Sequence, residues 1–115
     1  MSSKGFAHLH VHTEYSMLDG AARLDDMFKR TAALGMDSLA MTDHGNLFGA
    51  YEFWSKAKSH GIKPIIGMEA YATPNTHRSE RKKVRWGDGT GDDVSGAGAF
   101  THMTLLAETT AGRHN

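Results

Sequence analysis

The sequence contains no cysteine, only two prolines and no excess of charge of either sign. Without cysteine, neither a disulfide framework nor a thiolate metal site can exist within the chain. The 13 basic and 13 acidic residues balance, so net charge gives no general argument for a nucleic-acid, membrane or acidic partner. No window approaches the roughly 18 apolar residues of a transmembrane helix, and no apolar run typical of a signal peptide opens the chain. We therefore expect a cytoplasmic protein.

Histidine, by contrast, is abundant, and three of the eight histidines alternate with apolar residues near the start. His8, His10 and His12 are separated by Leu9 and Val11. Alternate residues of a β-strand lie on one face, so the pattern predicts a strand over residues 6–12 with its imidazoles on one side. A single histidine in an apolar strand is usually structural. Three in alternation favour a metal site, because neutral imidazole is the commonest metal ligand in proteins.

Helices and strands alternate in the next part of the chain. Apolar spacing predicts a helix from Leu24 to Leu34 ended by Gly35, and a second helix capped by Asn46 and ended by Gly61. The second helix is expected to bury a face made of Leu47, Ala50, Tyr51, Trp54 and Ala57. Apolar runs predict strands at 38–42, 63–71 and 100–107. This order is typical of an α/β fold with a parallel sheet, either open or closed into a barrel.

Side chains that bind metals come at the ends of the first three predicted strands. His10 and His12 end the first strand, Asp43 and His44 follow the second, and Glu69 comes late in the third. The carboxyl ends of parallel strands meet at one rim, where the sites of α/β folds gather. Taken alone, Asp43 could be a helix cap and Glu69 a solvated strand end. Taken together, these residues predict a metal site at that rim.

Two more candidate ligands enlarge this set. Asp19 follows the first strand, and His102 is an exception because it lies near the start of the last strand. Histidines and carboxylates without sulfur suit zinc, manganese or iron, and their number exceeds what one tetrahedral ion needs. We therefore expect two or three divalent metal ions. Clustered divalent ions polarise a phosphoryl group and make hydroxide available, so phosphoester hydrolysis is the expected chemistry.

Three stretches, in order, resemble a known family: His10-Val11-His12-Thr13-Glu14-Tyr15-Ser16-Met17-Leu18-Asp19-Gly20, Met41-Thr42-Asp43-His44-Gly45 and Lys63-Pro64-Ile65-Ile66-Gly67-Met68-Glu69-Ala70-Tyr71. They resemble the PHP (polymerase and histidinol phosphatase) domain. Specifically, they look like the version at the N-terminus of the alpha subunit of bacterial DNA polymerase III, the replicative family C polymerase. The resemblance covers essentially the whole chain, residues 1–115, and includes residues 92–96 and 101–107.

The resemblance implies the N-terminal portion of a distorted (β/α)7 barrel, incomplete in this chain, with a trinuclear metal centre. It implies that Asp43 orients the catalytic groups and that six residues bind metal, namely His10, His12, Asp19, His44, Glu69 and His102. His8 is not among them, and we expect it to support the ligands from the same strand face. The family's remaining ligands lie further along the polypeptide, so the chain alone is expected to be an inactive fragment.

The same resemblance implies a function. The parent enzyme would be a DNA-directed DNA polymerase that uses Mg²⁺ in a separate domain, and the PHP site would be a 3′–5′ proofreading exonuclease. Its partners would be the DNA primer-template and the other subunits of the polymerase III holoenzyme, including the sliding clamp. Two alternatives remain open: a non-catalytic PHP module that stabilises the polymerase, and a stand-alone PHP phosphatase of a small phosphomonoester.

The basic segment from Arg78 to Arg85 lies in a long irregular stretch between residues 73 and 98. It is a candidate for contact with DNA phosphates, with Trp86 available to stack on an exposed base. We favour the simpler interpretation, which is a solvated surface loop.

Overall fold

A computed structural model of the chain describes residues 5–73, 76–81 and 100–114. The described elements are α1 (Leu24–Ala33), β1 (Ser38–His44), α2 (Ala50–Ser59), β2 (Lys63–Ala72), β3 (Thr101–Leu106) and α3 (Thr110–His114). The three strands form one sheet in the order β1-β2-β3. The predicted α/β class is confirmed. None of the described helices is long and apolar enough to cross a membrane.

The chain divides into two compact units. The first consists of Met1–Glu69 and Thr104–Asn115, and the second of Ala70–Met103. The candidate ligands at the ends of β1 and β2 belong to the first unit, whereas His102 belongs to the second.

β1 and β2 are parallel, as predicted, and α2 connects them. Ser38 pairs with Lys63 at one end of the two strands, and His44 pairs with Glu69 at the other. Parallel neighbours need a crossover connection, which the helical segment between them provides. The pairing brings two predicted metal ligands side by side at the carboxyl ends of their strands.

The core of the first unit lies between α1, α2 and β1. Phe28 of α1 and Phe53 of α2 are fully buried, and their ring centroids lie 4.9 Å apart. The remaining members of the core are Leu24, Leu39, Met41, Ala57 and Ile62. Both long helices end at the predicted glycines, where Gly35 has φ +72° and Gly61 has φ +69°. A side chain rarely adopts that backbone conformation, which is why glycine follows each helix.

The predicted cap of the second helix is wrong. α2 begins at Ala50, and no side-chain cap precedes it. Asn46 instead closes a turn, because its Oδ1 accepts the Phe48 N–H at 3.1 Å and its Nδ2 donates to the His44 carbonyl at 2.9 Å. A short amide side chain bonds readily to the backbone two residues away, and here this bond is favoured over a helix cap.

The predicted buried face of α2 is also partly wrong. Phe53 and Ala57 are fully buried, whereas Tyr51 is 79% exposed and Trp54 is 42% exposed. The helix carries apolar residues on two overlapping stripes, so helical spacing alone does not select between them. Contact with Phe28 selects the stripe that contains Phe53.

The histidine segment is not the regular strand that its alternation predicts. His8 forms an isolated parallel bridge to Leu39 of β1. The Ala40 N–H donates to the His8 carbonyl at 3.0 Å, and the Thr42 N–H donates to the Val11 carbonyl at 2.8 Å. Three residues of the segment therefore span two residues of β1, which is the geometry of a bulge. A bulge of this kind interrupts the alternation of faces.

This interruption separates His8 from the two histidines that follow it. His8 lines a surface recess together with Val11 and Met27. Its ring meets the Phe6 ring edge-on, with centroids 4.9 Å apart. The expectation that His8 supports the ligands from the same face is therefore wrong.

β3 runs antiparallel to β2. The Thr101 hydroxyl donates to the Ala72 carbonyl at 3.5 Å, and the Ala107 N–H donates to the Ile66 carbonyl at 2.8 Å. In the second unit the start of β3 thus lies beside the end of β2, where the His102 and Tyr71 rings are 4.9 Å apart between centroids. An antiparallel strand begins where its neighbour ends, which explains why His102 comes early in its strand.

Candidate metal centre

Three imidazoles and two carboxylates of the first unit meet at the carboxyl ends of β1 and β2. The Nε2 atoms of His10 and His12 each lie 2.6 Å from Glu69 Oε2. Asp19 Oδ2 lies 2.6 Å from His44 Nε2 and 3.4 Å from His12 Nδ1. The His12 and His44 rings are 4.2 Å apart between centroids. The first unit therefore brings together five of the six predicted ligands.

The ligand atoms form two overlapping groups of three. One group contains His10, His12 and Glu69, and the other contains His12, Asp19 and His44. Within each group, one ligand atom per residue lies within 4.8 Å of the others. His12 belongs to both because its two ring nitrogens face different carboxylates. Two imidazoles and one carboxylate in each group suit zinc, manganese or iron, so the donor set fits the implied metal centre.

Glu69 forms the buried base of the centre, and its residue is 4% exposed. Burial alone would raise the pKa of the Glu69 carboxyl. Hydrogen bonds with His10 and His12, together with the nearby His44, outweigh burial and hold this pKa below its ordinary value. Glu69 is therefore ionised at neutral pH, which is the form that binds a metal ion.

The opposite side of the centre is open. The His10 side chain is 56% exposed and the Asp19 side chain is 48% exposed, whereas the Glu69 side chain is only 5% exposed. The centre thus has a closed base and an open mouth, an arrangement that admits a molecule from solvent to the ligand atoms.

Asp43 ties the two parts of the centre together. Residues 12–20, which we call the ligand loop, carry His12 and Asp19. The fully buried Asp43 carboxylate accepts hydrogen bonds from the Thr13 N–H at 2.6 Å, the Thr13 hydroxyl at 2.8 Å and the Ser16 hydroxyl at 3.0 Å. These contacts fit the orienting role expected of Asp43, which stays a prediction.

Thr13 and Ser16 also contribute to the centre, although sequence reasoning missed them. Both are buried, and Ser16 Oγ also accepts the His44 backbone N–H at 3.1 Å. They therefore hold the ligand loop against the strand that carries His44. The available signal was two hydroxyl residues within four positions after His12, but the sequence does not reveal that their partner lies about 30 residues away.

His102, the sixth predicted ligand, is half-buried in the second unit. Its ring stacks on Phe100 with centroids 5.7 Å apart, and it also contacts Tyr71. Its assignment as a metal ligand stays a prediction.

The basic segment is only partly described. Arg78 and Arg81 are exposed, and the Glu80 N–H closes a turn by donating to the His77 carbonyl at 2.9 Å. Residues 82–86, which include Trp86, lie outside the described residues. Contact between this segment and DNA therefore stays a prediction.

A polar network links the ligand loop to both long helices. The Tyr15 hydroxyl donates to Glu52 of α2. Lys56 Nζ lies 2.7 Å from Asp25 of α1 and 3.1 Å from Glu52. Hydrogen bonds from Lys56 and then His60 lower the pKa of Asp25, and hydrogen bonds from Tyr15 and then Lys56 lower the pKa of Glu52.

These lowered pKa values predict how Lys56→Met changes stability with pH. A carboxyl whose pKa is lowered by folding stabilises the protein above its unfolded pKa of about 4, and this contribution is lost as the pH falls through the folded pKa. We expect Lys56→Met to lower the thermal midpoint at pH 7 by roughly a few degrees or less. The variant should then lose less stability than the original protein between about pH 5 and pH 3.

Circular dichroism melts at a series of pH values would measure this effect. Lys58→Met is the matched control, since its ammonium lies over the Trp54 ring at 4.1 Å from the centroid. It removes the same charge and leaves the Asp25 and Glu52 contacts in place. The prediction would be contradicted if, as the pH falls, the thermal midpoint of Lys56→Met decreases more steeply than that of the original protein.

The fold and the side chains together define an α/β protein with an imidazole–carboxylate centre at the carboxyl edge of its parallel strands. Comparison with known families gives a match to the PHP domain over residues 8–115. The chain belongs to the PHP domain family. The predicted resemblance is confirmed by this match.

Curated relatives agree with this assignment. The DNA polymerase III subunit alpha of Saccharopolyspora erythraea is 55% identical over 119 residues, covering 96% of this chain and 10% of that protein. The subunit of the same name from Mycobacterium leprae is 52% identical and covers all of this chain and 10% of that protein. The Thermus aquaticus subunit is 49% identical over 96% of this chain and 8% of its own length. The chain spans about a tenth of the length of these relatives.

A solved structure shares part of the fold. It is an amidohydrolase from Chromobacterium violaceum, described with bound sulfate and no metal, and it is 31% identical to this chain. The alignment has a TM-score of 0.52 and covers 62% of this chain and 24% of the amidohydrolase. The likeness agrees with the α/β class of the fold.

Proposed function

We propose that this chain is part of a DNA polymerase III alpha subunit and that its PHP site is a metal-dependent phosphoesterase acting as a 3′–5′ proofreading exonuclease. The observation that carries the proposal is the convergence of three imidazoles and two carboxylates at one strand edge, in two groups that fit metal ions. The names of the relatives support the polymerase part, because they match nearly the whole chain at about 50% identity.

Six residues would hold two or three divalent ions of zinc, manganese or iron: His10, His12, Asp19, His44, Glu69 and His102. When bound, such ions supply charge that stabilises a phosphoryl group and make hydroxide available near neutral pH. The chain's own residues do the positioning. Glu69 stays ionised at the closed base, Asp43 holds the ligand loop, and the exposed side of the centre receives the 3′ end of a DNA strand.

The wider function follows from the same relatives. The parent protein would be a DNA-directed DNA polymerase of the cytoplasm that acts on a primer-template and uses Mg²⁺ in a separate polymerase domain. Its partners would be the other holoenzyme subunits, including the sliding clamp. In this setting an exonuclease in the PHP domain would remove a mispaired nucleotide that the polymerase has just added.

Two variants of the full-length protein test the proposal. We expect His12→Ala to lose bound metal and to lose 3′–5′ degradation of a labelled primer with a mismatched end. His8→Ala is the matched control, because it removes a histidine four residues away that lies outside both ligand groups. It should keep both properties, and both variants should keep polymerase activity. Metal content by mass spectrometry and gel analysis of primer length provide the readouts.

The alternatives give different results in the same experiment. A PHP module that only stabilises the polymerase would contain no metal, or its nuclease activity would be unchanged by His12→Ala. A stand-alone phosphatase would hydrolyse p-nitrophenyl phosphate and leave DNA ends intact. Either result would refute the exonuclease proposal.

A further inference from the structure

Tyr15 lies in the middle of the ligand loop, three residues after His12 and four before Asp19, but it belongs to neither ligand group. Its half-buried ring packs against the core of the first unit. Its N–H donates to Thr13 Oγ1 at 3.2 Å, and its hydroxyl donates to Glu52 of α2. The side chain therefore fastens the middle of the loop to α2.

Gly49, directly before α2, makes room for this ring. A Cβ atom added to Gly49 would lie 2.5 Å from Tyr15 Cδ2 and 2.9 Å from Tyr15 Cε2. Atoms that close overlap, so the ring and such a side chain cannot occupy these positions together. Gly49 has φ −84° and ψ −1°, a right-handed backbone conformation that is compatible with most residues. Glycine is therefore needed here to leave space for the Tyr15 ring, and not to allow a special backbone conformation.

We propose that Tyr15 and Gly49 form a positioning pair that seats the ligand loop on α2 and thereby sets the places of His12 and Asp19 in the metal centre. This inference rests on the proposed metal-dependent function. Asp43 anchors the loop through Thr13 and Ser16, and the pair anchors it to a different element. With the loop held on both β1 and α2, its two ligands keep a fixed separation.

Single and double substitutions separate this role from a general contribution to stability. Tyr15→Ala removes the ring and Gly49→Ala displaces it, so each should weaken Mn²⁺ binding by about 10-fold or more, the range for residues that orient metal ligands. Tyr15→Phe keeps the ring and should bind Mn²⁺ within about threefold of the original protein. Once the ring is gone, the added methyl group no longer meets it. Tyr15→Ala/Gly49→Ala should therefore bind Mn²⁺ no more weakly than Tyr15→Ala.

The experiment is a Mn²⁺ titration of the full-length protein, in which electron paramagnetic resonance measures the free ion. The number of Mn²⁺ ions bound by His12→Ala is subtracted from the number bound by each other protein, so that ions bound elsewhere in the protein are not counted. Gly112→Ala is the matched control, because a Cβ there meets its nearest atom at an ordinary 3.7 Å. Thermal midpoints are recorded for every variant. If an alanine variant unfolds, Tyr15→Leu, which keeps an apolar side chain, replaces it and should also weaken binding.

The possible results are distinct. The positioning pair would be overturned if Gly49→Ala binds Mn²⁺ as tightly as the original protein. It would also be overturned if Tyr15→Ala/Gly49→Ala binds Mn²⁺ more weakly than Tyr15→Ala by the same factor that Gly49→Ala alone causes. Tyr15→Leu with unchanged affinity, or variants that lower the thermal midpoint and leave affinity intact, would overturn it as well. If the original protein binds no more Mn²⁺ than His12→Ala, the proposed metal-dependent function itself fails.

Discussion

Asp43→Ala is expected to cost on the order of 3 kcal/mol or more of folding free energy, because it leaves three donors without their acceptor, each worth about 1–3 kcal/mol when buried. The donors are the Thr13 N–H, the Thr13 hydroxyl and the Ser16 hydroxyl. Thr13 is 0% exposed and Ser16 is 4% exposed, so water does not reach them without a local opening. The ligand loop should therefore lose its fixed position.

Urea unfolding and hydrogen exchange of the ligand-loop amides would measure this loss. Asp43→Asn keeps the volume and one carbonyl oxygen of the side chain, so we expect it to cost less than Asp43→Ala. Asp26→Ala is the surface control, since Asp26 is an exposed first-turn residue of α1 and its loss should cost about 1 kcal/mol or less. If Asp43→Ala and Asp26→Ala cost the same, the loop does not depend on Asp43.

Local spacing and topology together made much of the candidate site predictable. His44 and Glu69 sit at the ends of two apolar runs joined by a helix, and parallel pairing makes them neighbours, as observed. Their meeting follows from strand order and from the parallel register, which the apolar pattern of the two runs helps to set. Both features can be predicted from local spacing, which is why sequence reasoning succeeds at this position.

The parts that sequence reasoning missed depend on contacts between distant residues. At the bulge in the histidine segment, Val11 pairs with Thr42. The Thr42 N–H donates to the Val11 carbonyl, and the Val11 N–H donates to Thr42 Oγ1 at 2.8 Å. The alternation of His8, His10 and His12 is compatible with a regular strand, and only β1 shows that one residue is extra. Phe53 is likewise a buried residue of α2 because it packs against Phe28 of α1.

The position of His102 shows a third kind of limit. The apolar run that contains it predicts a strand correctly, but strand direction depends on the connection, which here includes residues 82–99. In an antiparallel β3, the residues beside the end of β2 come at the start of the strand and not at its end. The resemblance to the PHP domain predicts His102 as a metal ligand without reference to strand ends, because it matches residues by motif and not by topology.

Gly20→Ala should disturb the centre from the other end of the ligand loop. A Cβ on Gly20 would lie 2.1 Å from the Thr13 carbonyl oxygen and 3.0 Å from Ser16 Cβ, so the backbone itself must move. The Gly20 N–H donates to the Ser16 carbonyl at 2.6 Å and closes the turn that carries Asp19. We expect a loss of about 3 kcal/mol, at the upper end of overpacking costs, and faster hydrogen exchange throughout the ligand loop.

Gly35→Ala provides the comparison that isolates this clash. Gly35 has φ +72° and no atom within 4 Å of an added Cβ, so alanine there meets only the backbone penalty of about 1–2 kcal/mol. Gly20→Ala should therefore have the lower urea midpoint, and of the two it alone should speed exchange in residues 12–20. The reverse order of midpoints would mean that the turn adapts to a side chain. The place of Asp19 would then depend on Asp43 and Tyr15 and not on the tight turn at Gly20.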